Sequence, residues 1–185
     1  MRILVVGGSG VLGRAMVPHL ASHQVVATTR SSERISVIEE LGARGVLCDI
    51  YAPGALDRVA VDAGPEIVVN LLTDLAGGVG PANSRIRREG GPVVIAAARA
   101  AGARRLVVES VAWGIPGPGG EAVAALEAGT LTSGLDPVVI RFGRLWGPGT
   151  WNAAPPEPPA VHVVEAGRRA AELALTAPSG TYVVA

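Results

Sequence analysis

Short apolar runs recur along the chain, separated by longer segments in which polar and apolar residues mix. Seven such runs occur, at 2–6, 24–28, 45–48, 66–72, 105–109, 137–142 and 180–184. Most are rich in Val, Ile and Leu, and a run that is apolar at nearly every position is typical of a strand buried on both faces. The pattern therefore predicts seven strands of a largely parallel sheet.

The segments between these runs have the features of helices. Ser31 or Ser32 is a suitable N-cap for a helix through Leu41, and Pro53 suits the first position of the next helix. Other helices are predicted after the glycine-rich segment and over 86–101, 121–131 and 164–176. Alternating strands and helices predict an α/β fold with a Rossmann-like, doubly wound parallel sheet, and we expect a single domain over residues 1–185.

A glycine-rich turn connects the first predicted strand to the first predicted helix. Gly7 suits a tight turn, Gly10 lets a pyrophosphate approach the backbone, and Gly13 permits close packing of the helix. The N–H groups and the dipole at the start of that helix favour a bound phosphate. Because the turn lies in the strand–turn–helix context of dinucleotide sites, we predict that it binds a nucleotide. The predicted contact residues are Gly7, Ser9, Gly10, Val11, Leu12 and Gly13.

The residues after the second strand indicate which dinucleotide is preferred. An acidic side chain at this place would hold the ribose 2′-hydroxyl of NAD. The chain instead reads TTRSS at 28–32, with no acid before Glu33. A guanidinium pairs well with a 2′-phosphate, so Arg30, helped by hydroxyls such as that of Thr29, favours NADP over NAD. The alternative is that Arg30 is simply a solvated loop residue.

Composition excludes several kinds of chemistry. All sixteen basic residues are arginine, so a lysine Schiff base and a Walker A phosphate loop are both impossible. One cysteine, Cys48, excludes an internal disulfide and a cysteine-rich zinc site, and we expect no metal. Sixteen acidic residues bring the formal net charge to zero, which gives no support for a nucleic-acid partner. The apolar runs are too short to cross a membrane and no signal peptide is recognisable, so we expect a cytoplasmic protein.

Six short segments form an ordered series of motifs. They are GGSGVLG at 7–13, CDI at 48–50, NLLT at 70–73, ESVAWG at 109–114, RFGRLWGPG at 141–149 and VHVVE at 161–165. The series resembles the short-chain dehydrogenase/reductase superfamily, and most closely its extended and atypical members of the NAD-dependent epimerase/dehydratase type. The resemblance covers nearly the whole chain and implies a much reduced substrate-binding part. It also implies cofactor contacts from Asp49, Ile50, Leu71, Leu72 and Thr73.

The chain departs from this family at the catalytic pair. The family has Tyr-x-x-x-Lys on the helix after strand five, and here Gly119 and Val123 align with those positions. The chain has no lysine, and its only tyrosines are Tyr51 and Tyr182. The usual acid/base, a tyrosine whose pKa is lowered by a neighbouring lysine, is therefore missing.

Three residues are candidates for the missing acid/base or for substrate contact. Ser110 follows strand five, at the edge where ligands bind in open α/β sheets, although it is also a common turn residue. Asp74 follows strand four, where the alternative role is an Asx turn. His162 precedes the last helix beside the expected cleft, and the alternative is a structural histidine. Glu109 is next to Ser110, and strand alternation turns one of the two away from the cleft.

Three tryptophans fall in loops at the same expected edge. Trp113, Trp146 and Trp151 make up half of the six aromatic residues and indicate a pocket for an apolar or aromatic small molecule. The alternative for Trp146 and Trp151 is packing within a Pro-rich loop at 148–159, which we expect to form a flap over the site.

Three functions are compatible with these features. The favoured one is an enzyme, an NADP(H)-dependent oxidoreductase or epimerase with a non-standard active site. The second is a redox-inactive sensor that binds NADP(H). The third is a non-redox isomerase or cyclase that uses the cleft alone. The expected partner is a small-molecule substrate, and a homodimer is the oligomer that this fold class favours.

Overall fold

The computed structural model describes residues 1–74 and 80–185, which form one seven-stranded parallel sheet with helices on both faces. The strands are β1 (Arg2–Val6), β2 (Gln24–Thr29), β3 (Arg44–Leu47), β4 (Ile67–Asn70), β5 (Arg105–Val111), β6 (Asp136–Phe142), β7 (Arg144–Trp146), β8 (Ala160–His162) and β9 (Gly180–Val184). The main sheet has the order β3-β2-β1-β4-β5-β6-β9. The prediction of a Rossmann-like α/β fold is therefore confirmed.

Seven α-helices and three shorter helical turns connect the described strands. The helices are α1 (Val11–Met16), α2 (Ile35–Glu40), α3 (Ala55–Ala63), α4 (Pro81–Arg85), α5 (Gly91–Ala100), α6 (Pro118–Leu131) and α7 (Val163–Thr176). Two 3₁₀ turns span Val17–Leu20 and Ser32–Arg34, and a π-helical turn at Ile86–Gly90 joins α4 to α5. No helix in the described part of the chain is both long and apolar enough to span a bilayer.

Two apolar layers hold the helices against the sheet. On one face α1 and α7 pack over side chains such as Val107 and Ile140, and on the other α3, α5 and α6 pack over Leu106 and Val108. These consecutive β5 residues belong to opposite layers because successive strand side chains point to opposite faces. Burial on both faces explains why the strands are nearly continuous apolar runs.

The order in which strands are added to the sheet reverses at β1, and this reversal determines where the site lies. The chain passes from β1 outward to β2 and β3, then returns to place β4 on the other side of β1. The loops after β1 and β4 therefore leave in opposite directions and open a crevice at the carboxyl ends of the strands, where ligands bind in such sheets.

The structure differs from the sequence predictions in local detail. The helix predicted to open at Pro53 begins at Ala55, after Gly54 in a left-handed conformation. The helix predicted over 86–101 starts earlier, at Pro81, and contains the π-helical turn. The small parallel sheet of β7 and β8 was not predicted, because strands of three residues carry too little pattern to recognise.

Candidate functional site

An open cleft of about 350 Å³ lies at the carboxyl edge of the sheet, around the reversal at β1. Eleven residues predicted from the sequence line it: Gly7, Ser9, Gly10, Thr29, Arg30, Asp49, Ile50, Leu71, Leu72, Thr73 and Asp74. Leu12 and Gly13 are buried instead, so any contact from them to a ligand would come from backbone N–H groups. Val11 is half-buried at the first position of α1, which leaves its N–H without an intrahelical partner.

The turn between β1 and α1 is shaped by its glycines. Gly7 has a φ of +88°, and a Cβ at Gly13 would lie 2.5 Å from the carbonyl oxygen of Gly8. Around Gly10, by contrast, the nearest atom to an added Cβ is the Gly7 carbonyl oxygen, at 3.2 Å. Beyond its chain neighbours, no other described atom lies within 4 Å of that Cβ, and Gly10 lines the cleft, so a phosphate group can approach the backbone there.

The threonine hydroxyls at the end of β2 hold this turn in place. Gly7 N–H donates to Thr28 Oγ1 at 3.1 Å, and the Ser9 hydroxyl donates to Thr29 Oγ1 at 2.9 Å. The Ser31 N–H also donates to Thr29 Oγ1, at 3.2 Å. Because Thr28 and Thr29 already accept these bonds, their role in this structure is to fix the glycine turn to β2.

An ion pair crosses the mouth of the cleft. Arg30 Nη1, after β2, lies 3.1 Å from Asp74 Oδ2, after β4. The Arg30 side chain is 65% exposed, whereas that of Asp74 is 18% exposed. The backbone N–H of Asp74 donates to Asn83 Oδ1 at 3.1 Å, which ties this loop to α4. Two residues predicted for different roles, phosphate recognition and acid/base chemistry, are therefore partners.

The residues that follow β3 also line the cleft. Asp49 Oδ1 accepts a bond from the Tyr51 N–H at 3.0 Å, which fixes the turn that brings Ile50 to the cleft. The Arg85 guanidinium lies 4.2 Å from the centre of the Tyr51 ring. Tyr51 also lines the cleft, and sequence reasoning missed it because it lies one residue beyond the recognised motif.

Ser110 is not among the residues found to line the cleft in the described part of the chain. Its side chain is buried, and its hydroxyl donates to Glu127 Oε1 on α6. Arg141 donates to the same carboxylate from Nε at 2.9 Å and from Nη2 at 2.6 Å. These bonds hold the pKa of Glu127 below its usual value. Ser110 thus belongs to a network that locks α6 to β5 and β6.

His162 contacts the loop after β7. Its ring centre lies 4.5 Å from that of Trp146, in an edge-to-face arrangement. A Cβ at Gly147 would lie 2.5 Å from His162 Nε2, so this ring packs directly on the glycine. His162 is the N-cap residue of α7. It is not one of the described residues that line the cleft.

The tryptophans cluster on the β5–β6 side of the sheet edge. The Arg144 guanidinium lies 5.1 Å from the centre of the Trp113 ring, an arrangement that stabilises a cation. Trp151, in the Pro-rich segment, is 73% exposed. The segments after β5 and β6 thus present aromatic and cationic surface at the carboxyl ends of these two strands, outside the described cleft lining.

One mostly buried carboxyl group was noted in the sequence only as the neighbour of Ser110, without a role of its own. Glu109, in β5, is 15% exposed and faces Arg87, whose Nη2 lies 3.6 Å from Glu109 Oε1. Burial raises the pKa of Glu109 to about 7, although the positive charge of Arg87 opposes this shift. The signal in the sequence was an acid in a strand that is otherwise apolar, and its partner is a distant arginine that no local pattern identifies.

The described residues contain no group of three or more His, Cys, Asp or Glu side chains arranged to hold a metal ion. Cys48 is buried at the end of β3, and burial together with the negative charge of Asp49 raises the pKa of its thiol. The residues that line the cleft suit a dinucleotide better, because open backbone at Gly10 is combined with a cation at Arg30.

A known relative shares substantial sequence identity with the chain. It is a 3-diazoavenalumate denitrifying reductase from a Streptomyces species, 36% identical over 185 aligned positions. The alignment covers 81% of this chain and 58% of the relative, so the chain spans less than two thirds of that enzyme's length.

Solved structures with the same fold include several nucleotide-sugar enzymes. The UDP-glucose 4-epimerase of Thermus thermophilus, in complex with NAD, has a TM-score of 0.82 at 18% identity, and covers 100% of this chain and 77% of its own. A putative NAD-dependent epimerase/dehydratase from Bacillus halodurans has a TM-score of 0.81 at 20% identity, with 98% and 92% covered. The model of the NAD dependent epimerase/dehydratase family matches residues 3–124. That match spans about two thirds of the chain, which therefore belongs to the NAD dependent epimerase/dehydratase family.

Proposed function

We propose that the chain binds NADP(H) in the cleft and forms the cofactor-binding part of a reductase for a small apolar or aromatic molecule. The observation that carries the choice of NADP is the end of β2, where Arg30 stands at the cleft mouth in place of an acid. The reductase activity is supported by the relative's name, since that enzyme reduces a diazo compound. The chain has no lysine, so the site lacks the tyrosine–lysine pair of the family.

Different residues along the sheet edge would contact different parts of the dinucleotide. The backbone around Gly10 would take the pyrophosphate, and Asp49 and Ile50 would border the adenine. Arg30 would exchange its partner Asp74 for the 2′-phosphate, because a phosphate accepts more charge-assisted bonds from a guanidinium than one carboxylate. Leu71, Leu72 and Thr73 would then lie under the half that carries the nicotinamide, which supplies hydride when bound.

The substrate would bind beyond β4, on the side of the tryptophans. Trp113 and Trp146 offer aromatic surface, and Arg144 adds a cation that suits a substrate carboxylate. Asp74 and His162 remain proposals as groups that contact the substrate, whereas the hydroxyl of Ser110 already donates to Glu127.

Calorimetric titration with NADPH and NADH tests the cofactor. We expect the wild-type protein to prefer NADPH, and Arg30→Ala to weaken NADPH binding by roughly 10- to 100-fold with NADH little changed, because charge-assisted bonds are lost. Asp74→Asn should leave NADPH binding unchanged or tighter, since Arg30 is then unpaired.

Arg44→Ala is the matched control, because Arg44 forms a similar exposed pair with Asp62, at 2.7 Å, outside the described cleft lining. A wild-type preference for NADH would overturn the choice of NADP. No binding of either dinucleotide would overturn the proposed function and favour the non-redox isomerase or cyclase.

The absence of the family's catalytic tyrosine–lysine pair favours one second candidate, a redox-inactive NADP(H) sensor. Consumption of NADPH in the presence of aromatic carbonyl or diazo compounds distinguishes the two. Tight binding with no turnover of any such compound would support the sensor.

A further inference from the structure

A buried charged pair lies at the substrate end of the sheet edge. Glu109 is near the carboxyl end of β5, and Arg87, only 4% exposed, faces it from the π-helical turn. Glu109 is the first residue of the ESVAWG motif at 109–114, but neither that motif nor the proposed cofactor contacts explain its pairing with Arg87. Buried ionisable groups are costly to maintain, and they cluster at functional sites.

The π-helical turn is what brings Arg87 inward. Burial in this helical segment occurs in adjacent pairs, Ile86 with Arg87 and Gly90 with Gly91. The wider turn lets Ile86 line the cleft while its neighbour Arg87 reaches Glu109. Such turns are frequent at functional sites in helices.

The pair has unused hydrogen-bonding capacity. Its separation of 3.6 Å is longer than a hydrogen bond, so the contact is electrostatic. Arg87 Nε is also buried, and it has no hydrogen-bond partner among the described residues. An unsatisfied buried donor costs about 1–3 kcal/mol, a cost that a bound polar group would remove.

Glu109 and Arg87 are not part of the described cleft lining, but Glu109 lies beside one of its residues, Leu71. Asn70 of β4 is in register with Val108 of β5. The next residues along the two segments, Leu71 and Glu109, are therefore neighbours, with backbones about 4.8 Å apart, the spacing of adjacent strands. The adenosine half of a dinucleotide faces β2 and β3, so the other half must extend from β1 toward β4 and β5.

Glu109 has the protonation behaviour of an acid/base group. With a pKa raised to about 7, it is divided between the protonated and ionised forms at neutral pH. Arg87 is the charged group that acts on this carboxyl in the described chain. The other acids nearby in sequence are paired elsewhere: Glu121 with Arg88, and Glu127 with Arg141.

We infer that Glu109, held against Arg87, is the group that exchanges a proton with the bound substrate, in place of the missing tyrosine and lysine. The inference rests on the proposed reductase function. When a substrate carbonyl carbon accepts hydride from NADPH, its oxygen takes the carboxyl proton of Glu109. The carboxyl O–H bond breaks, the alcohol O–H bond forms, and NADPH leaves as NADP⁺. The carboxylate remains beside Arg87 until water reprotonates it.

Infrared titration of the whole chain, with the Glu109→Gln spectrum subtracted, tests this assignment without turnover. We expect one carboxyl band with a midpoint near pH 7. Arg87→Gln should move the midpoint upward because a positive charge is lost, whereas Arg88→Gln, which alters the adjacent exposed arginine, should not. Bound NADP⁺ should move the midpoint downward, since the oxidised nicotinamide brings a positive charge to β5.

A second measurement uses hydride transfer from NADPH to an aromatic aldehyde. Glu109→Gln should slow the reaction by about 100-fold or more, the usual effect of losing a general acid, and abolish the dependence on a group near pH 7. Glu121→Gln is the matched control and should retain the wild-type rate.

The outcomes separate the inference from the proposed function. No binding of either dinucleotide overturns both. Binding of NADP⁺ that leaves the Glu109 midpoint unmoved, or a midpoint near 4.5, overturns the inference alone. Equal hydride-transfer rates in Glu109→Gln and Glu121→Gln would also overturn it. Circular dichroism of each variant confirms that the rate reports chemistry and not unfolding.

Discussion

Gly10 and Gly13 are three residues apart in the same motif, but the structure constrains them differently. The space around Gly13 is filled by the backbone of Gly8, whereas Gly10 lines the cleft and has only the Gly7 carbonyl oxygen within 4 Å of an added Cβ, its chain neighbours aside. One glycine therefore serves the packing of α1 and the other serves a ligand. The sequence motif alone does not distinguish these two roles, whereas the atoms around each glycine do.

Alanine substitutions should separate these two roles. Gly13→Ala forces a methyl group against the Gly8 carbonyl and should cost about 1–3 kcal/mol of unfolding free energy. Gly10→Ala should change stability by less than about 1 kcal/mol but weaken NADPH binding at least tenfold, because the methyl occupies the path of the pyrophosphate. Urea denaturation and calorimetry provide the two readouts. Unaltered NADPH binding by Gly10→Ala would show that the pyrophosphate does not approach this turn.

Some site residues could be predicted from the sequence, and others could not. The cleft-lining residues of the glycine turn were predictable, because their roles follow from a local backbone pattern. The pairs Arg30–Asp74 and Arg87–Glu109 were not, since their members are 44 and 22 positions apart and meet only through the sheet order. Ser110 was placed at the correct strand end, but its bond to Glu127 depends on where α6 packs.

At the scale of elements, α1 and α7 make the closest helix contact on their side of the sheet. A Cβ at Gly167 of α7 would lie 2.4 Å from the carbonyl carbon and oxygen of Ala15 in α1. The two helices therefore approach through backbone atoms, and this contact sets the position of α1 below the glycine turn.

Gly167→Ala should separate these helices and destabilise the protein by about 2 kcal/mol or more, as overpacking does in well-packed interiors. Because α1 carries the glycine turn, the variant should also bind NADPH less tightly. Gly114→Ala is the control, since nothing lies within 4 Å of an added Cβ there. Equal thermal midpoints for the two variants would contradict the close contact between α1 and α7.

Elements also differed in how well the sequence predicted them. Long apolar runs such as β1 and β6 were predicted within one residue, because burial on both faces leaves few polar positions. The helical segment from α4 to α5 was predicted to begin at residue 86 instead of Pro81, and its π-helical turn was not predicted. There the inward side chain is a charged arginine, which the apolar pattern counts as exposed.

For the whole molecule, two buried acids have opposite effects on stability as the pH changes. Glu127 has a lowered pKa, so its contribution is present above its unfolded value and is lost as the pH falls. Glu109 has a raised pKa, so its contribution is complete below its unfolded value of 4.5 and is lost as the pH rises to about 7. The contributions of the two carboxyls to the unfolding free energy therefore change with pH in opposite directions.

The unfolding free energy of the ligand-free protein should therefore fall by about 2–3 kcal/mol from pH 5 to pH 8, the amount that linkage assigns to Glu109. Glu109→Gln should remove most of this fall, because an amide does not titrate. Urea denaturation at the two pH values measures the difference. A wild-type free energy that rises between them would rule out a raised pKa at Glu109.

The placement of the tryptophans also makes the two halves of the sheet edge optically distinct. Trp113, Trp146 and Trp151 all lie on the β5–β6 side, and none of them lines the described cleft. Their emission overlaps the absorption of reduced nicotinamide, so energy transfer would report how near the cofactor comes to that side. Trp151, being exposed, would respond to an added quencher, while Trp146 is in edge-to-face contact with His162. The protein thus carries its own fluorescent reporters, positioned where a substrate would arrive.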